Sequence, residues 1–147
     1  MKLMRWALFS TDLPDDGVES ETDILVYPGR NVAEAIGGLL RGLGYEVSEP
    51  ENQEENGWDF DYYASGRRFW CQVSSYEEAF SLVTRDMGRT WTDNIFKRPP
   101  HPLYAEVLTR LNEALAADQR FHEVQWFSDE DFGTDEPGAA SPVALDD

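Results

Sequence analysis

The stretch Trp58-Asp59-Phe60-Asp61-Tyr62-Tyr63-Ala64-Ser65-Gly66-Arg67-Arg68-Phe69-Trp70-Cys71-Gln72-Val73-Ser74 decides the fold. Trp58, Phe60 and Tyr62 alternate with Asp59, Asp61 and Tyr63, which is the period of a strand with one buried face. Ser65-Gly66 is a turn signal, and beyond it Phe69, Cys71 and Val73 alternate with Arg68, Trp70 and Gln72. The two runs predict a hairpin with Trp58 opposite Val73, Phe60 opposite Cys71 and Tyr62 opposite Phe69, so that one face is wholly apolar.

Downstream, Ser75 to Glu78 predicts a four-residue turn into a strand from Ala79 to Arg85. That register sends Phe80, Leu82 and Thr84 inward and sets Trp70 opposite Val83. Residues 86–100 read as a long irregular connection containing Trp91 and Pro99-Pro100. A helix should start near Pro102, because proline is tolerated in a first turn, and should run to about Ala117. Leu103, Val107, Leu108, Leu111 and Leu115 form its apolar stripe. His122 to Phe127 reads as a closing strand.

Upstream, Leu3 to Phe9 predicts the first strand, residues 11–23 an acidic loop, and Ile24 to Tyr27 a short strand. Asn31 with Glu34 three residues later has the spacing of a capping box. The helix it would start carries Val32, Ile36, Leu39, Leu40 and Leu43, and Gly44 is placed to stop it. Its glycines match no nucleotide-binding fingerprint, and no cofactor is expected. Tyr45 to Glu49 adds a strand before the polar loop at 50–56. This order predicts an α+β fold in which a mainly antiparallel sheet carries two helices on one face, a two-layer sandwich whose other face meets solvent.

The chain of 147 residues suits one domain, expected over 1–127. From Ser128 onward there are seven acids, no bases and no apolar periodicity, so 128–147 reads as an acidic, disordered tail dispensable for folding. No run approaches the roughly 20 apolar residues that cross a bilayer, and neither a membrane segment nor a signal peptide is expected. One cysteine excludes an internal disulfide, and one cysteine with two histidines supplies no metal framework. A reducing cytoplasm fits.

Twenty-nine acids against twelve bases give a net charge of −17. Such a field disfavours direct nucleic-acid binding and favours a basic protein partner. Only the block 67–100 is basic, with six cations against four acids.

Few residues offer chemistry. Cys71 falls on the inward side, where a thiol is a small hydrophobe. His101 and His122 share no site spacing. Asp59 and Asp61 lie on one outward face about 7 Å apart, a pair able to do acid–base work but equally an ordinary solvated surface. The expected contact patch is the outward face of the strands: Tyr63, Trp70 and Val83, bordered by Asp61, Arg68 and Arg85, with Trp91 beside it.

Three functions compete. The first is a non-catalytic acidic protein that recognises a basic partner, as a regulator, inhibitor or immunity-like protein; the likeness to immunity proteins is one of size and charge alone. The second is a small hydrolase-like enzyme built on Asp59, Asp61 and an arginine. The third is a nucleic-acid mimic.

Overall fold

The computed structural model describes residues 1–144. Its elements in chain order are β1 (Lys2–Leu3), β2 (Trp6–Thr11), β3 (Val18–Glu19), β4 (Ile24–Val26), α1 (Arg30–Gly42), β5 (Glu46–Val47), β6 (Glu51–Asn52) and a 3-10 turn (Glu54–Asn56). There follow β7 (Trp58–Ala64), β8 (Arg67–Tyr76), β9 (Ala79–Asp86), α2 (Trp91–Ile95), α3 (Pro102–Ala117), β10 (Phe121–Phe127) and β11 (Val143–Ala144). The main sheet runs β10-β2-β9-β8-β7-β5, with β6 also on β7, and every pairing is antiparallel. Helices α1 and α3 pack on the sheet and on each other, so the fold is a two-layer α+β sandwich.

The central hairpin has the expected register, with Trp58, Phe60 and Tyr62 facing Val73, Cys71 and Phe69. Ser65 and Gly66 both take positive φ, 49° and 78°, which gives a two-residue turn of the hand that matches strand twist. The next turn differs from expectation. Strand β8 continues to Tyr76, and the chain reverses over Glu77-Glu78, with Glu77 at φ 54°. The register therefore moves by two residues, so that Trp70 faces Arg85 and Val83 faces Gln72. A shift of two preserves the faces, and Leu82 and Thr84 still point inward and are buried.

The predicted first strand is divided at Met4 and Arg5. The Arg5 guanidinium donates to the Thr84 carbonyl (2.9 Å), and the Thr84 amide donates to the Arg5 carbonyl (3.0 Å). Helix α1 starts two residues early, at Arg30 with Gly29 in the cap position, and Asn31 is not its cap. Asp16, distant in sequence, accepts from the amides of Gly29 (3.0 Å) and Asn31 (2.9 Å) and satisfies the exposed helix start. In β10 a bulge between His122 and Gln125, with Glu123 at φ 54°, lets Phe121 and Trp126 face the same core. Trp126 is fully buried and donates from Nε1 to Asn112 Oδ1 of α3 (2.8 Å).

Residues 128–144 do not leave the body as the tail reading expects. Phe132 stacks on Trp6 at 4.4 Å and meets Tyr76 and Phe127. Asp129 accepts from Trp6 Nε1 (2.7 Å) and pairs with Arg5 (2.8 Å), Ala139 bridges Trp126, and β11 pairs with β1. The sheet presents outward apolar rings at Trp6 and Phe127, and Phe132 covers them, adding its ring contacts to the hydrogen bonds and ion pair of Asp129 and to the pairing of β11. The rest of the expected tail, 145–147, lies outside the described residues.

Cys71 and Tyr62 are both completely buried, and burial pushes the Cys71 thiol well above its ordinary range. The native protein is expected to resist a thiol reagent, with labelling appearing only as denaturant unfolds it. Rapid labelling without denaturant would contradict the buried position.

Candidate protein-contact surface

The outward face of β7–β9 gathers five of the seven expected contact residues. Asp61 and Arg68 form an ion pair at 3.0 Å, and Tyr63, exposed, faces Arg68 across the ladder. Trp70 Nε1 donates to Asp59 Oδ2 (3.0 Å), while the Arg85 guanidinium lies 5.8 Å from the Trp70 ring centre. The other two are not part of this exposed group. Val83 pairs with Trp6 and is only 7% exposed, so it does not belong to the accessible surface. Trp91 opens α2 in the connection after β9 and makes no ring contact with Trp70 among the described residues.

The two carboxylates of the enzyme reading are engaged. Asp59 takes hydrogen bonds from Trp70 and from Gln53 Nε2 (3.1 Å), and Asp61 is paired with Arg68. The recess between them is about 140 Å³, below the range of small-molecule sites. His101 accepts from the Leu103 amide at the start of α3, and His122 pairs with Asp12 at 2.7 Å, on opposite ends of the fold.

Sequence reading missed α2, although its signal was present as Thr90 with Asp93 three residues on. The Asp93 amide donates to Thr90 Oγ1 (3.2 Å) and the Thr90 amide donates to Asp93 Oδ2 (2.9 Å), a complete capping box. Those bonds from Thr90, with Arg98 beside them, hold the Asp93 carboxyl down at about 2. Arg89 ties the lobe together by donating to Asn94 Oδ1 (2.6 Å) and the Arg98 carbonyl (2.7 Å). The result is a braced knob that displays Trp91 at 72%, Ile95 at 60% and Phe96 at 69% exposure. Nothing in the helical period marks these side chains as solvent-facing, because a five-residue helix is too short to show one.

The segment read as an acidic loop contains β3, which pairs with β4, the expected short strand, in a hairpin that shows Val18, Ile24 and Leu25 to solvent. Glu19, Glu21 and Asp23 stand among them without an ion pair to any described residue, and no Lys, Arg or His occurs from Thr11 to Gly29.

The strand ladder gives these features a common direction. At one end lie the β8–β9 turn with Glu77 and Glu78, β6 with Glu51, and the 3-10 turn with Glu54 and Glu55. The acidic hairpin joins that end, since Trp58 Nε1 donates to the Tyr27 carbonyl just beyond β4. At the other end Arg67, Arg68 and Arg85 close β8 and β9, Arg5 enters β2, and Arg89, Lys97 and Arg98 surround α2. The molecule is therefore electrically polar along its strands. No sequence window could reveal this, because antiparallel pairing brings acids from residues 15–23, 51–55 and 77–78 to one end.

The fold and surface define a two-layer antiparallel α+β protein with an acidic end and a basic end. Set against known proteins, the chain matches no family model, no curated protein and no solved structure. No helix among the described residues is long and apolar enough to cross a membrane.

Proposed function

We propose that this chain is a non-catalytic acidic binding protein that recognises a basic protein partner, as a regulator, inhibitor or immunity-like protein, with the cytoplasm as its location. The observation that carries this reading is the acidic end of the sheet, where unpaired carboxylates rim exposed apolar side chains on the β3–β4 hairpin. Leu25, 62% exposed, and its neighbours Val18 and Ile24 supply apolar area to bury. Glu19, Glu21 and Asp23 supply charges that have no ion-pair partner among the described residues, so a partner's lysines and arginines meet no rival cation there. The net charge of −17 adds long-range steering that raises the association rate at low salt. Asp61, Tyr63, Arg68, Trp70, Arg85 and Trp91, towards the other end, belong to this proposal as a second contact region.

Affinity capture from the source cells at low and high salt tests the reading. One basic protein should be retained at low salt and released as salt rises, and a Glu19→Lys, Glu21→Lys, Asp23→Lys variant should not retain it. Capture unaffected by that charge reversal would remove the hairpin from the interface. Retention of nucleic-acid-binding proteins as a group would replace the proposal with mimicry.

A further inference from the structure

A cavity of about 630 Å³, within the size range of small-molecule sites, lies at the basic end. Arg5, Arg85 and Arg89 line it, in a protein whose net charge is −17. The two acids in its wall are already engaged. Asp86 accepts two bonds from Arg67, each 2.8 Å, and one from the Gly88 amide (3.0 Å). Asp129 accepts from Arg5 and Trp6. Counting Arg67 with the Asp86 it neutralises, four guanidiniums face two carboxylates, and the recess is cationic.

Two of the lining arginines lack a carboxylate partner. Arg85 makes no ion pair or hydrogen bond within the described residues, and lies over the Trp70 ring. Arg89 is fixed by Asn94 Oδ1 and by three backbone carbonyls, those of Asp93, Arg98 and Pro99, all neutral acceptors that leave its charge uncompensated. Because the Asn94 oxygen receives Arg89, its amide nitrogen remains a free donor towards the cavity it lines. Arg5 is held by Asp129 and the Thr84 carbonyl. Arg5 and Arg89 are thus braced before any ligand arrives, which removes part of the ordering cost of binding.

We propose that this cavity binds a small oxyanion carrying two or more negative charges, through the guanidiniums of Arg85, Arg89 and Arg5 and the amide of Asn94. Guanidinium forks match the paired oxygens of carboxylate and phosphate groups. Leu3 and Pro100 give the recess an apolar wall, which suits a ligand with a short carbon skeleton. The acids of the β3–β4 hairpin, of residues 51–55 and of residues 77–78 lie at the other end of the sheet, and screening over about 8 Å at physiological salt weakens their repulsion at the cavity.

Calorimetric titration of the full chain with citrate and with pyrophosphate, at constant ionic strength set by chloride, tests the site. One-to-one saturable binding is expected for at least one of them. Tighter citrate binding identifies a polycarboxylate site, and tighter pyrophosphate binding a phosphate site. Arg85→Gln should weaken the preferred anion about tenfold to a hundredfold, as expected for a lost charge-assisted hydrogen bond, with the melting temperature lowered by no more than about 2 °C, because among the described residues that side chain makes no hydrogen bond or ion pair and only lies over the Trp70 ring. Arg30→Gln, on α1, should bind as the parent does. Absence of saturable binding by both anions in the millimolar range, or equal binding by the Arg85→Gln variant, overturns the proposal.

Discussion

Removal of residues 128–147 is expected to lower the melting temperature by about 10 °C, the equivalent of about 3 kcal/mol for a domain of this length. The loss has several sources. Phe132 leaves its stack on Trp6 and its contacts with Tyr76 and Phe127, three rings then open to water. Trp6 Nε1 and the Arg5 guanidinium lose Asp129, and β1 loses β11, its partner strand among the described residues. Truncating a well-packed phenylalanine costs about 3 to 5 kcal/mol, and the partial exposure of Phe132 places its share towards the lower end. Phe132→Ala alone should reproduce more than half of the effect in a thermal melt followed by circular dichroism. An unchanged melting temperature after truncation would return this segment to the solvated tail that its composition suggests.

Trp58→Ala should destabilise the protein by about 3 to 5 kcal/mol, whereas Trp70→Ala should cost about 1 kcal/mol. Both tryptophans lie on the same hairpin and read alike in composition, but they face opposite ways. Trp58 is buried against the helix layer, and its Nε1 donates to the Tyr27 carbonyl (3.0 Å), so its removal leaves a cavity and an orphaned carbonyl. Trp70 lies half-buried on the outward face, its Nε1 on Asp59 and the Arg85 guanidinium over its ring. Urea unfolding of the two variants decides between the faces. A larger cost for Trp70 would mean that the inward and outward sets are exchanged, and with them the surface assigned to binding.

The inward set was legible because it rests on a period of two, which any half-buried strand must show. The pairs Trp58–Val73, Phe60–Cys71 and Tyr62–Phe69 were readable for that reason, and α3 was readable because Pro102 opens a sustained apolar stripe. The β8–β9 register was not. Glu77 carries none of the usual marks of a left-handed turn position, yet its φ of 54° shortens the turn and sets Trp70 against Arg85. Of the surface, Asp61, Tyr63, Arg68, Trp70 and Arg85 could be grouped from strand alternation. The exposure of Trp91, Ile95 and Phe96 and the burial of Val83 depend on what neighbouring segments cover.

The sequence by itself determined the local periods: which faces of β7, β8 and α3 are apolar, where Ser65-Gly66 turns, and that the chain carries −17 overall. These are properties of neighbours along the chain, fixed by alternation, helical spacing and composition. Tertiary structure alone decided where the charges and caps meet. Asp16 closes α1 from fourteen residues before its first helical residue, Phe132 returns to cover Trp6, and acids from three separate segments collect opposite the arginines of the cavity. Hydrogen bonds, ring contacts and Coulomb interactions act across a few ångströms of space whatever the separation in sequence, so no local pattern records them.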